Sequence, residues 1–88
     1  MKRYIVRGSR LESKQSSYEY LADVFDAPST FGHNLDALWD LLTELEDADI
    51  EVDEAREIVK NMGSYGLKLL DVLGDLQKTN NCRIHIYW

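Results

Sequence analysis

The chain has 88 residues, 44% apolar and 30% charged, with 10 Lys+Arg against 16 Asp+Glu and a formal net charge of −6. That length supports one small domain over residues 1–88, and the acid excess disfavours a basic nucleic-acid-binding surface, which phosphates would otherwise attract. No apolar run approaches the roughly 20 residues that span a bilayer, and one cysteine with two histidines supports neither a disulfide nor a four-ligand zinc site.

Tyr4-Ile5-Val6, followed by Gly8, reads as a short strand, and the three-residue apolar stretch is too short for a signal peptide. Ser16-Ser17-Tyr18-Glu19 fits a capping box, and Tyr18, Leu21, Ala22 and Phe25 follow on one helical face. Pro28 ends that helix or opens the loop Ala27–His33. Asn34 is a good N-cap for a second helix, with Leu35, Leu38, Leu42 and Leu45 at helical spacing. Ile50-Glu51-Val52 predicts a short strand. Asp53 is positioned to cap a third helix carrying Ile58, Val59 and Met62, stopped at Gly63. Ser64 then caps a fourth, in which Leu67, Leu70, Leu73 and Leu76 recur. Gly66 and Gly74 each weaken it by roughly 1 kcal/mol relative to alanine. Ile84, Ile86 and Trp88 alternate with Arg83, His85 and Tyr87 as a terminal strand. Strands separated by helical crossovers predict a miniature α/β domain, a three-stranded parallel sheet packed with about four helices.

Charge is unevenly spread. Gln15 to Glu54 holds twelve carboxylates and no Lys or Arg, a formal −12 against +6 for the rest of the chain. Self-repulsion on that scale costs stability unless the field is used. On a helical wheel for residues 34–47, Leu35, Leu38, Leu41, Leu42 and Leu45 share one arc. Asp36, Asp40, Glu44 and Asp47 lie nearly opposite, with Thr43 among them and Trp39 at the edge. Asp36 suits the positive N-terminal end of the helix dipole, whereas Glu44, Glu46 and Asp47 oppose its negative end. Local choices that act against stability mark functional surfaces.

Pro28-Ser29-Thr30-Phe31-Gly32-His33-Asn34-Leu35-Asp36-Ala37-Leu38-Trp39-Asp40-Leu41-Leu42-Thr43 closely resembles the loop and second helix of the barstar family, intracellular inhibitors of barnase-type ribonucleases. The overall length, the order of elements and the terminal Ile-x-Ile strand extend the resemblance, which is weak between Ala48 and Gly66. It implies a non-catalytic protein that inserts this helix and loop into a ribonuclease active site, where acidic side chains replace the RNA phosphate. By position, Asp40 matches the family's central aspartate and Asp36 a second acidic contact. Gly32, Asn34, Trp39 and Thr43 match residues lining the same surface, and Asp75 on the fourth helix matches an outlying acidic contact. Thr30 stands where the family pattern has a tyrosine that packs on the enzyme's catalytic histidine, Leu45 replaces a tryptophan, and Phe31 beside Thr30 is placed to compensate.

The expected partner-binding set is therefore Thr30, Phe31, Gly32, His33, Asn34, Asp36, Trp39, Asp40, Thr43 and Asp75. His33 read alone is a solvated polar residue. Cys82 and His85, three apart on a strand, point to opposite faces and make no nucleophile–base pair. Asp36 and Asp40 as an acid–base pair would need a pocket and a polarising partner, which an outward helix does not supply. The expectation is a cytoplasmic, monomeric inhibitor or immunity protein, without cofactor or metal, that neutralises a cytotoxic ribonuclease in a 1:1 complex. The alternative is a barstar-like interaction module for another basic protein.

Overall fold

The computed structural model describes residues 2–78 and 82–88. Three strands, β1 (Lys2–Arg7), β2 (Ala48–Asp53) and β3 (Arg83–Ile86), form one parallel sheet in the order β1-β2-β3. Four helices intervene: α1 (Lys14–Phe25), α2 (Leu35–Thr43), α3 (Ala55–Met62) and α4 (Ser64–Asp75). Short 3-10 turns lie at Gly8–Arg10 and Leu76–Lys78. This is the mixed α/β architecture expected from the sequence.

Period-two alternation divides the sheet into two faces. Val6, Ala48, Ile50, Val52 and Ile84 turn inward and pack with Tyr18, Leu21, Phe25, Leu38, Leu42, Ile58, Leu69, Leu73 and Leu76 from the helices and turns. The other face carries Arg3, Ile5, Asp49, Glu51, Arg83 and His85, paired as Arg3↔Asp49↔Arg83 and Ile5↔Glu51↔His85. Both edge strands have a backbone N–H held by a side chain: Arg7 N–H donates to the Tyr20 hydroxyl at 2.9 Å, and Ile84 N–H to Gln77 Oε1 at 3.3 Å. Donors satisfied in this way offer less of a template for pairing with a foreign strand.

Element ends differ from the sequence reading in several places, each for a local reason. The first helix begins earlier, because Ser13 rather than Ser16 is the cap. Ser16 N–H donates to Ser13 Oγ at 3.2 Å and Ser13 N–H to Ser16 Oγ at 3.1 Å, a capping box with serine in both roles, and Glu19 is an exposed residue inside the helix. The helix ends at Phe25 with Asp26 in the left-handed conformation, so Pro28 opens the loop rather than stopping the helix. The central strand β2 is six residues long. Its apolar side is Ala48, Ile50 and Val52, and its acids project to the open face.

Asp53 is the last residue of that strand, not a helix cap. Glu54 takes the cap position of α3 at φ 54° without a capping side chain. Gly63, at φ 58°, ends α3 and directly precedes α4, so Ser64 is the first helical residue and not the cap. In α4, Leu67 is 49% exposed and Leu69 is fully buried in its stead; the inward stripe is Leu69, Leu70 and Leu73, continued by Leu76 in the 3-10 turn. Gly66 is required by packing, since a Cβ there would lie 2.5 Å from Ile58 O, whereas one at Gly74 meets nothing within 4 Å. Trp88 lies beyond β3 and is exposed. Cys82 is buried, its Sγ 3.7 Å from Leu45 O as donor. Among the described residues no helix is long and apolar enough to cross a membrane.

Candidate functional site

The helix α2 is built from local signals. Asn34 adopts an extended conformation and its Oδ1 accepts from Ala37 N–H at 2.7 Å, which satisfies a donor that the first turn leaves free. Leu38 and Leu42, four apart, are fully buried, and Leu35, Leu41 and Trp39 pack partly buried against the core. The opposite side is consequently fixed outward, and Asp36, Asp40 and Glu44 stand exposed along it in an i, i+4, i+8 row.

The helix is shorter than the wheel assumed. It stops at Thr43, with Glu44 as its C-cap, so Leu45, Glu46 and Asp47 follow it as connecting chain; Asp47 has φ 54°. Thr43 Oγ–H donates to Asp40 O at 3.0 Å, closing the last turn. No basic residue occupies that turn. Among the described residues the ion pairs are Arg3–Glu51 at 2.8 Å and Lys78–Asp75 at 3.5 Å, His85 Nε2 lies 3.2 Å from Asp49 Oδ1, and none of these reaches a carboxylate of α2.

Between α2 and the preceding loop runs a shallow groove of about 190 Å³ lined by Pro28, Thr30, Phe31, Gly32, Ala37, Asp40, Leu41 and Glu44. Its walls are mostly apolar and its acidic groups come from the helix. Gly32 lies close to the helix start: a Cβ there would be 3.3 Å from both Ala37 Cβ and Asn34 Nδ2. The loop is held by a turn, Phe31 N–H donating to Pro28 O at 3.0 Å, and by rings. His33 is exposed yet stacks on Tyr18, with centroids 5.8 Å apart and planes 14° apart; Phe31 meets the same ring edge-on at 6.2 Å. His33 is therefore a packed residue as well as a solvated one.

Of the residues expected from sequence, Thr30, Phe31, Gly32 and Asp40 come together on the groove. Asn34 caps the helix beside it, and Asp36, Trp39 and Thr43 share α2. Asp75 lies on another element, at the C-terminal end of α4, exposed and paired with Lys78. Sequence reasoning overlooked Pro28, Ala37, Leu41 and Glu44 as groove walls, although Glu44 lay in the acidic arc. It also overlooked Tyr65, whose hydroxyl bonds to that of Tyr18; a contact across 47 positions leaves no local signature.

A capped helix with a buried leucine side carries an outward acidic row, and the glycine-bearing loop before it forms the other wall of the shallow groove. The sequence profile of the family described as "Barstar (barnase inhibitor)" matches residues 1–87. The chain is also similar to the "Putative ribonuclease inhibitor YrdF" of Bacillus subtilis (strain 168), being 32% identical over 85 residues that cover 89% of this chain and 88% of that protein. The chain belongs to the barstar family, a family of inhibitors.

Proposed function

We propose that this chain inhibits a ribonuclease by seating α2 and the loop before it in the enzyme's active site, forming a 1:1 complex as a monomer. A nuclease must gather cations around a phosphate, so an exposed acidic helix is its electrostatic complement. In this reading Asp40, at the middle of the row, meets the phosphate-binding cations with charge-assisted, bidentate geometry where an arginine is available. Asp36 supplies a second charge near the helix N-terminus. Thr30, Phe31, Gly32, His33 and Asn34 form the loop side of the contact, Trp39 and Thr43 the helix side, and Asp75 an outlying contact. The protein itself performs no chemistry and needs no cofactor.

The observation that supports this most directly is the exposed row Asp36, Asp40 and Glu44 beside the groove, which joins no ion pair among the described residues, whereas Glu51 in the sheet is paired with Arg3. The test is RNA cleavage by guanyl-preferring ribonucleases titrated with the purified protein. Cleavage by a cognate enzyme should cease near equimolar protein. Undiminished cleavage across a panel of such enzymes, together with capture of a different basic protein on the same helix, supports the interaction-module reading in its place.

A further inference from the structure

The loop Ala27–His33 presents the groove, yet the single backbone hydrogen bond within Pro28–His33 among the described residues is the turn from Phe31 N–H to Pro28 O. A loop with so few main-chain bonds needs side chains to fix it. Those side chains converge on Tyr18, which is 1% exposed. His33 lies nearly parallel to it, Phe31 approaches it edge-on, and the Tyr65 ring approaches at 76° with centroids 6.5 Å apart. The two tyrosine hydroxyls are hydrogen-bonded, and Lys14 Nζ sits 4.4 Å over the Tyr65 ring. Burial and then the Tyr65 hydroxyl push the Tyr18 phenol well above its ordinary value, so it remains a neutral donor or acceptor at any ordinary pH.

This arrangement runs from the first turn of α4, through α1, to the loop, and α4 also packs beside α2. We infer that the Tyr18–Tyr65 pair is the positioning device of the inhibitory surface: it holds the loop at a fixed distance from the acidic helix so that both enter the partner together. The inference rests on the ribonuclease-inhibitor reading for its purpose, but not for its structural content. Ring–ring contacts have defined geometry, and a hydroxyl pair on a buried tyrosine selects one ring orientation. Pre-organising a loop lowers the ordering cost that association would otherwise carry, and this shows mainly in the dissociation rate.

The decisive variant is Tyr65→Phe, which keeps the ring and removes the hydroxyl; Tyr18→Phe is its counterpart from the other side. The first readout uses the free protein. Stacking on Tyr18 shifts the His33 ring protons in the proton NMR spectrum. In Tyr65→Phe those resonances should move toward free-histidine positions and exchange of the Phe31 amide should accelerate roughly fivefold, while amides of Ile50 and Val52 exchange as before. The second readout is the complex: dissociation from a ribonuclease that the wild type inhibits should be roughly fivefold faster, with the association rate unchanged because no charge has been altered. Unchanged His33 shifts and Phe31 exchange, or acceleration spread equally over Ile50 and Val52, overturn the inference and reduce the pair to core packing. Loosening of the loop without any faster dissociation overturns its role in binding. Failure of the wild type to bind any ribonuclease would contradict the functional reading, while the NMR arm still decides whether the pair positions the loop.

Discussion

Asp40 occupies the middle of the outer row of α2, with Asp36 one turn before it and Glu44 one turn after, and it is the member of the set that lines the groove from the helix centre. A central charge loses its water when a partner closes over it, whereas a rim charge remains solvated and screened. Asp40→Ala should therefore weaken ribonuclease binding by roughly 2–5 kcal/mol, the range for truncating one partner of a buried charged pair. Glu46→Ala, in the connecting chain beyond the helix, should cost less than about 1 kcal/mol. Titration calorimetry on both variants checks this; equal losses would mean that the field acts diffusely and no focal contact exists. At this scale the sequence was most informative where the physics is local. Asn34 could be read as a cap because its side chain need reach only Ala37, and the outward placing of Asp36 and Asp40 followed from the leucine spacing. Ser13 was missed in favour of Ser16 because a serine at the third helical position serves the capping box as well as the expected glutamate.

The helix α2 combines stabilising and destabilising choices. Its N-terminus is capped and carries Asp36, both favourable to the dipole, while its C-cap is an acid with another acid one turn earlier. Glu44→Lys should raise unfolding stability by about 0.3–1 kcal/mol, through the dipole and a new pairing with Asp40. The same change should weaken ribonuclease binding, since Glu44 lines the groove. Denaturant unfolding and inhibition assays on one preparation measure both; a variant that is no more stable and inhibits equally well would remove the conflict between folding and function at this helix. The limits of the elements were harder to read than their existence. The wheel ran α2 through to Asp47 because Leu45 keeps the leucine spacing, yet Leu45 reaches the core from the chain beyond the C-cap. The strand β2 looked short because its flanking acids suggested solvent. Its pairing with β1 on one side and β3 on the other lengthens it, and such register is non-local. Leu67 and Leu69 exchanged places for the same reason, since α3 and α2 decide which side of α4 is inward.

Within the acidic segment, the sheet and the helix α2 are different electrostatic environments. In the sheet, Asp49, Glu51 and Asp53 lie on the central strand between Arg3 and Arg7 on one side and Arg83 and His85 on the other. The bond and charge of Arg3 hold the Glu51 carboxyl below its usual range. The hydrogen bond that a protonated Asp53 donates to the Glu51 carboxylate, then desolvation, holds Asp53 above its own. A depressed carboxylate contributes stability that is present above its unfolded value and lost as pH falls through its folded value. A raised one contributes in the opposite sense, opposing folding once pH rises through its folded value. Asp53→Asn should accordingly raise the thermal midpoint at neutral pH, with the gain vanishing in acid once the wild-type carboxyl is protonated; a gain independent of pH would contradict the assignment. None of this compensation was legible in composition, because it depends on parallel register. Asp36, Asp40 and Glu44 join no ion pair among the described residues, and the proposed phosphate mimicry uses that exposed row to attract a cationic partner, with association expected on the order of 10⁸–10⁹ M⁻¹s⁻¹ at low salt. The most direct test of that central claim is competition between this protein and a mononucleotide phosphate for the active site of an inhibited ribonuclease. Phosphate mimicry predicts mutual exclusion, the apparent affinity for the protein falling in proportion to nucleotide occupancy. A stable ternary complex of enzyme, nucleotide and protein would contradict it.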